Sequence, residues 1–280
     1  MSSDGSIVAV HGLNGDARGT WTAGRSGICL LSHPDFLPKY VKKARILSWG
    51  YYASFSSLLG QDPSKERIHH HAHTLVSQSS ADRRLDEGTG RPIVFLCHSL
   101  GGIIVKKALC YSERGQKTSH EYNTFSSTHA ILFFGTPHNG SSKASLASNL
   151  SNMVLELSPV PALTSKSDLV SALKPHCETL QNINDSFEPI MKNDHIFFFW
   201  EQERTNLLFK HDYIVTQDSA APVHDETGRA GITANHSGMV KFERASDQGF
   251  VTVAEAVTRY CGQAMADIGR KQAYADEMLR

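Results

Sequence analysis

An apolar segment that leads directly into a glycine-rich turn is the sequence feature that most restricts the fold. The pattern predicts a strand over Pro92–Cys97, a turn at His98-Ser99, and a helix over Leu100–Tyr111. A strand without polar alternation is typical of a parallel sheet covered on both faces. A serine at the apex of a tight strand-to-helix turn has its hydroxyl raised above the sheet edge, where it can act as a nucleophile. Ser99 is therefore the first candidate for a reacting group.

Four further apolar runs predict strands of the same sheet. They are Ile7–Val10, Ala44–Trp49, His129–Phe134 and His195–Trp200. Helix-length segments such as Ser64–Leu85 separate them, and a chain that alternates strand and helix forms an α/β fold with a doubly wound, mostly parallel sheet.

The segment 141–192 is longer than one crossover between parallel strands requires. We expect it to form a helical cap or lid-like insertion over the sheet edge, with breaks at Pro159, Pro161 and Pro175. The segment 249–280 predicts terminal helices. Because no internal repeat or low-complexity linker is evident, we expect residues 1–280 to form a single domain.

Composition excludes several classes of protein. The 280 residues include 28 basic and 28 acidic side chains, and this zero net charge argues against a nucleic-acid-binding protein. Five cysteines, odd in number and without a Cys-x-x-Cys pair, favour reduced thiols. No apolar run reaches the roughly 18 residues of a membrane span, and no secretory signal is evident. These features favour a cytoplasmic location.

A second turn follows the first predicted strand. Val8-Ala-Val-His11-Gly12 leads into Leu13, and a strand that ends in His-Gly can turn the next amide toward the serine. The amides of Leu13 and Leu100 are thus candidate donors to a developing oxyanion. When the His11-Gly12 motif is taken alone, a plain strand-to-loop turn explains it equally well.

Histidines supply the candidates for a general base. In this architecture the base lies C-terminal to the serine, and His236, within Asn235-His-Ser-Gly, has that position directly before a predicted helix. His138, on the loop after the fourth strand, is the second choice. His98 and His138 are also predicted to line the substrate site.

The acid that would orient the base is ambiguous in the sequence. Chain order requires an acid between the serine and the histidine. Glu201 ends the fifth predicted strand and is favoured, Asp212 is the first alternative, and Asp218 is the second and could instead cap a helix.

A histidine-rich stretch also allows a metal-binding hypothesis. His69 and His73 share one helical face at i,i+4 spacing, but no nearby acid or cysteine completes a ligand set. We therefore expect neither a metal nor another cofactor.

As a set, the motifs resemble the α/β-hydrolase family of lipase-like serine esterases. The resemblance is greatest to the branch that contains serine active site-containing protein and the hydrolase modules of fungal NACHT and ankyrin proteins. The motifs that carry it are His11-Gly-Leu-Asn-Gly15, Thr20-Trp-Thr22, Arg45-Ile-Leu-Ser-Trp-Gly-Tyr51, Cys97-His-Ser-Leu-Gly-Gly102, Val105-Lys-Lys-Ala-Leu109, Phe134-Gly-Thr-Pro-His-Asn-Gly140, Phe199-Trp-Glu201, Ser219-Ala220 and His236-Ser-Gly-Met-Val-Lys-Phe242.

The resemblance implies an α/β-hydrolase fold and ester cleavage through an acyl-enzyme on Ser99, with His236 as base and Glu201 as acid. The implied partner is a small ester or lipid, with peripheral membrane contact and a mitochondrial or endoplasmic reticulum location as further expectations. Cys97 and Asn235 depart from the family pattern, which commonly has a glycine at the first position and often an acidic residue at the second. The alternative function is a weakly active or inactive hydrolase-fold module used in signalling.

Overall fold

The computed structural model describes residues 5–53, 64–115, 119–138, 143–157, 166–192, 194–207 and 210–278. Within them, six parallel strands form the main sheet, in the order β2-β1-β3-β4-β5-β8. These strands are β1 (Gly5–Val10), β2 (Ala44–Trp49), β3 (Ile93–His98), β4 (Thr128–Phe134), β5 (His195–Glu201) and β8 (Gly228–Ile232). A small antiparallel hairpin is formed by β6 (Thr205–Leu207) and β7 (Lys210–Asp212).

Helices cover both faces of the sheet. They are α1 (Leu37–Tyr40), α2 (Ser64–Leu85), α3 (Leu100–Glu113), α4 (Tyr122–Ser127), α5 (Lys143–Leu157), α6 (Lys166–Met191), α7 (Gln217–Ala220) and α8 (Gln248–Met278). Side chains of α1 and α8 pack on one face of the sheet, and those of α2, α3 and α6 pack on the other. Neighbouring residues of β1 show the division, since Ile7 joins the first core and Val8 joins the second.

The strand order places a topological switch point beside the serine turn. β1 lies between β2 and β3, so the chain leaves β1 toward one side of the sheet and later continues on the other. In open parallel sheets, sites form outside the carboxyl ends of the strands at such a point. His11 follows β1 there, and Ser99 follows β3.

The predicted doubly wound α/β fold is confirmed, and all five predicted strands are present. The sequence analysis missed β8 and the hairpin, whose strands are short or contain glycine. Two helices, α5 and α6, form in the predicted cap, but the break expected at Pro175 was wrong because α6 continues through that residue. Burial of Leu180, Ile183 and Phe187 along the same helix outweighs the single hydrogen bond that the proline removes.

The segments 139–142 and 158–165 of the predicted cap, with Pro159 and Pro161, lie outside the described residues. No helix within the described ranges has both the length and the apolar character needed to cross a bilayer. The five cysteines, all within the described ranges, are free thiols.

Candidate active site

Ser99 stands in a backbone conformation that few residues other than glycine adopt. Ser99 lies between the last residue of β3 and the first residue of α3, and its backbone has a φ of 53° and a ψ of −127°. A positive φ costs free energy in a residue with a Cβ, so surrounding contacts must hold it. The Ser99 amide donates to the Phe134 carbonyl at 2.8 Å, and Thr136 Oγ1 donates to the Ser99 carbonyl at 2.9 Å. The turn is thus fixed to the end of β4.

Glycines allow the backbones around this turn to approach closely. A Cβ on Gly12 would lie 2.7 Å from Ser99 Cβ, and one on Gly101 would lie 2.5 Å from the Val10 carbonyl oxygen. Real Cβ atoms essentially never make such contacts. The two glycines therefore bring the end of β1, the serine turn and the start of α3 together.

His236 lies directly beside the serine hydroxyl. Its Nε2 is 2.9 Å from Ser99 Oγ, which is a hydrogen-bond distance, although 137 residues separate the two in sequence. The ring lies over Gly135, where φ is +58° and a Cβ would stand 2.8 Å from His236 Cε1. His236 is in a turn after β8, so the helix predicted directly after it is not present.

The third member of the group is Glu201, at the end of β5. Its carboxylate is fully buried, and Oε1 lies 3.6 Å from His236 Nδ1. This separation exceeds a hydrogen bond, and both Nδ1 and Glu201 Oε2 lack hydrogen-bond partners. Because the Val215 amide donates to Oε1 at 2.7 Å, the carboxylate is held in place by the backbone.

Opposing effects set the pKa of His236. Burial is the largest and lowers it, while the interaction with Glu201 and the charge of Glu156 raise it. The two carboxylates together prevail, so the pKa of His236 is raised above its ordinary value.

Glu156 is a residue of this site that the sequence analysis missed. It lies on α5, interacts with the Ser237 side chain, and is close enough to His236 to act on its charge. Burial raises the pKa of Glu156. No motif marks the position, because its role depends on how the cap helix packs.

His98 supports the loop that carries His236. Its ring is buried, and burial lowers its pKa to about 3, so it is neutral. His98 Nε2 lies 3.0 Å from the His236 carbonyl oxygen, to which it must donate. The two rings are 5.1 Å apart between centroids. His98 was predicted to contact the substrate. It lies next to Ser99 in the chain, but the contact observed for its ring nitrogen is to the backbone carbonyl of His236.

The two candidate oxyanion donors belong to segments next to Ser99, and their role stays a prediction. Leu100 is the first residue of α3, where an amide has no intrahelical acceptor. Leu13 follows Gly12, which touches the serine, and its loop is fixed by His11. The His11 ring stacks on Tyr51 at 4.3 Å, its Nε2 accepts from the Tyr51 amide, and its Nδ1 therefore donates to the Gly12 carbonyl.

His138 does not join Ser99 and His236. It is buried, its Nδ1 lies 2.5 Å from Lys106 Nζ, and its ring packs edge-on against Phe133 and Phe198. The predicted roles of substrate contact and second-choice base do not fit this position, because the ring faces the core between the sheet and α3. His138 instead connects the loop after β4 to α3.

Neither alternative acid lies beside His236. Asp212 ends β7, where Lys210 Nζ is 2.5 Å from Oδ2 and the Tyr213 amide donates to Oδ1. Asp218 is exposed in the first turn of α7, and the residue at the N-cap is Thr216. Of the three acids left open by the sequence, Glu201 is the one that the fold brings to the histidine.

No protein-family model matches the chain. Human Protein SERAC1 is 27% identical over 183 residues, which cover 60% of this chain and 27% of that protein. Zebrafish (Danio rerio) Protein SERAC1 is 30% identical over 151 residues, or 48% of this chain and 22% of that protein. The matched segments therefore span about a quarter of these relatives.

A fungal esterase structure from Rhizomucor miehei superimposes with a TM-score of 0.50 at 9% identity, covering 95% of this chain and 76% of the other. With the parallel sheet, its strand order and the serine turn after β3, this likeness decides the architecture. The chain has the α/β-hydrolase fold. The switch point of that fold is occupied here by Ser99, with His236 and Glu201 beside it.

Proposed function

We propose that this protein is a serine hydrolase that cleaves carboxylic esters through an acyl-enzyme on Ser99. The observation that carries the proposal is the 2.9 Å contact between His236 Nε2 and Ser99 Oγ, made at a strained turn with Glu201 behind the imidazole. A strained backbone at a buried histidine-serine pair is typical of a nucleophile held ready for reaction.

In the first half of the reaction, Ser99 Oγ bonds to the ester carbonyl carbon while its proton passes to His236 Nε2. The Leu13 and Leu100 amides would donate to the oxyanion. The ester C–O bond then breaks, and the proton on Nε2 moves to the departing alcohol oxygen. In the second half, water attacks the acyl-enzyme, gives its proton to Nε2, and releases the carboxylic acid as Ser99 recovers its proton.

The role of Glu201 follows from its charge. An imidazolium forms twice in each turnover, and a carboxylate behind Nδ1 stabilises it. The 3.6 Å separation is longer than the hydrogen bond needed for this role. Such contacts commonly shorten when substrate binds, and a shift of about 0.6 Å is sufficient here.

Apolar side chains next to the site favour an acyl group as the recognised part of the substrate. Leu13 and Leu100, the candidate oxyanion donors, belong to one apolar cluster with residues of the cap helices and the β7–α7 segment. Its other fully buried members include Leu146, Leu150, Met153, Leu180, Ile183, Ile214 and Val215. A lipid-like or other apolar acyl ester is thus the proposed substrate class.

The test is hydrolysis of p-nitrophenyl esters of increasing acyl length by the wild type and Ser99→Ala. We expect the variant to lose at least about 10³-fold in kcat/KM while keeping its thermal unfolding midpoint. Ser219→Ala is the matched control, because that buried serine contacts the His138 carbonyl and not His236. Full activity in Ser99→Ala would refute the proposal.

A fluorophosphonate probe separates the enzyme from an inactive hydrolase-fold module. Covalent labelling at Ser99 requires an activated hydroxyl, so labelling of the native protein supports the enzyme. Absence of both labelling and ester turnover would favour a module that keeps the turn for structural reasons. The 3.6 Å gap between His236 and Glu201 is the observation that makes this second function worth testing.

A further inference from the structure

Two histidines and one aspartate lie close together where β4 and β5 begin, at the end of the sheet opposite the serine. His129 is the second residue of β4, His195 is the first residue of β5, and Asp267 lies on α8. One donor atom from each residue lies within 4.8 Å of the other two. Asp267 Oδ2 is 3.4 Å from His195 Nε2 and 3.8 Å from His129 Nδ1.

These distances are close to the edges of a metal-coordination tetrahedron. Zn²⁺ binds imidazole nitrogen and carboxylate oxygen at about 2.0–2.2 Å, so two donors on one tetrahedral ion lie roughly 3.3–3.5 Å apart. The His195–Asp267 pair already has that spacing, and the His129–Asp267 pair exceeds it by a few tenths of an ångström. The two imidazole donors lie within 4.8 Å of each other, and side-chain movements that bring them to the same spacing would complete a three-ligand site.

The surroundings hold the donors in place. His129 is 1% exposed at its side chain, so its position is fixed by the core. The His195 ring stacks on Tyr260 of α8 at 5.3 Å between centroids. Ala264 and Ile268, on either side of Asp267 along α8, are buried, and α8 lies against β4.

A cavity beside His195 has mainly acidic walls. His195 also lines a cavity of about 650 Å³, whose walls include four acids and one lysine. The acids are Glu188, Asp194, Asp225 and Glu226, and the lysine is Lys192. A cleft lined mainly by one sign of charge raises the local concentration of ions of the opposite sign.

We propose that His129, His195 and Asp267 bind a Zn²⁺-like divalent ion, with a fourth coordination position open to water. Two imidazoles and one carboxylate suit borderline metals, and not Mg²⁺ or Ca²⁺, which prefer all-oxygen ligand sets. The ion would join the starts of β4 and β5 to α8, far from the serine. Its role would be to anchor the last helix to the sheet.

The histidine-rich helix α2 is a second place where the sequence spacing suggests a metal. Two of its histidines pack on aromatic rings, since the His73 ring lies 3.9 Å from that of Tyr111 and the His71 ring lies 4.8 Å from that of Tyr51. The helix offers no comparable group of three donors among the described residues. Variants of the α2 histidines therefore serve as controls for metal binding at the proposed site.

The test is calorimetric titration of ZnCl₂ into the metal-free protein of 280 residues, with the thermal unfolding midpoint as a second readout. We expect one ion per chain, and a raised midpoint because the ion binds the folded state. His195→Ala and Asp267→Asn should each weaken binding by about tenfold or more and abolish the shift. His195 is 45% exposed at its side chain, so its truncation should leave the fold intact.

Two control variants identify where an ion binds. His211→Ala removes an exposed histidine elsewhere and should leave binding unchanged, as should the double variant His69→Ala, His73→Ala. The proposal is wrong if the wild type shows no heat of binding, if both site variants bind like the wild type, or if binding is lost only in the α2 double variant. None of these readouts depends on ester hydrolysis.

Discussion

The Val215 amide donates to Oε1 of Glu201 at 2.7 Å and so positions the carboxylate that faces the imidazole of His236. The hairpin and the loop that follow β5 bring Val215 back over the end of that strand. A buried carboxylate held by a backbone amide does not need the histidine to keep its position. The contribution of the Glu201 charge can therefore be measured in a variant that keeps the hydrogen bond to Val215 and the loop around it.

Glu201→Gln tests that charge. The amide oxygen can still accept from Val215, but the negative charge that raises the pKa of His236 is removed. We expect the pKa of His236 to fall, so the acid limb of kcat/KM against pH moves to lower pH. The plateau should fall by about 10²-fold or more, because the imidazolium loses its stabilising charge.

Asp212→Asn is the matched control for Glu201→Gln. Asp212 pairs with Lys210 in the hairpin, and that pair is partly exposed. Its neutralisation should leave the pH profile unchanged. An equal loss in the two variants would exclude Glu201 as the acid.

Glu156→Gln should produce a smaller change of the same sign. Glu156 raises the pKa of His236 through its charge alone, without a direct contact to the imidazole. We expect the acid limb to shift to lower pH and the plateau to change by less than about threefold. The measurement is the pH profile of kcat/KM, with Glu178→Gln, an exposed acid on α6, as the control. A profile identical to that of wild type would show that the cap helix does not act on the base.

Gly12→Ala tests the close approach between the first loop and the serine. The new Cβ would lie 2.7 Å from Ser99 Cβ and 3.3 Å from Ser99 Oγ, so one of the two backbones must move. We expect kcat/KM to fall by at least about tenfold and the free energy of unfolding to fall by about 1–3 kcal/mol. Gly24→Ala, where a Cβ meets nothing within 4 Å, should change neither quantity appreciably. Wild-type activity in Gly12→Ala would contradict the geometry described for this loop.

The buried Lys106 predicts an unusual dependence of stability on pH. Its Nζ lies 2.5 Å from His138 Nδ1 and 2.6 Å from Asn184 Oδ1, and burial lowers its pKa to about 7. In the unfolded chain a lysine keeps a pKa of about 10.4, so between these values the unfolded state binds more protons. Lys106 therefore makes stability rise with pH from about 7 to about 10, by roughly 5 kcal/mol in total.

Lys106→Met should remove most of that rise. The measurement is the free energy of unfolding in urea at several pH values, taken as the difference between variant and wild type so that other titrating groups cancel. Lys107→Met, the partly exposed neighbour, should preserve the wild-type slope. Equal slopes in Lys106→Met and wild type would mean that Lys106 remains charged in the folded protein.

Local patterns were sufficient to predict five of the six described strands of the main sheet. The β3 segment is apolar from Ile93 to Cys97 and continues into a helix, which is typical of a parallel strand buried on both faces. Strands that are short or contain glycine, such as β8, carry too weak a pattern to be recognised. The break predicted at Pro175 failed because a local rule about one hydrogen bond does not include the packing of the rest of α6.

The sequence by itself determined the parallel architecture and the serine at the strand-to-helix turn, and it left three candidate acids between that serine and His236. Only the tertiary structure decided that Glu201 lies beside His236 while Asp212 pairs with Lys210, and that His138 faces Lys106. The physical reason is that a turn is specified by neighbouring residues. The partner of a buried charge depends instead on how distant segments pack, and no short stretch of sequence records that.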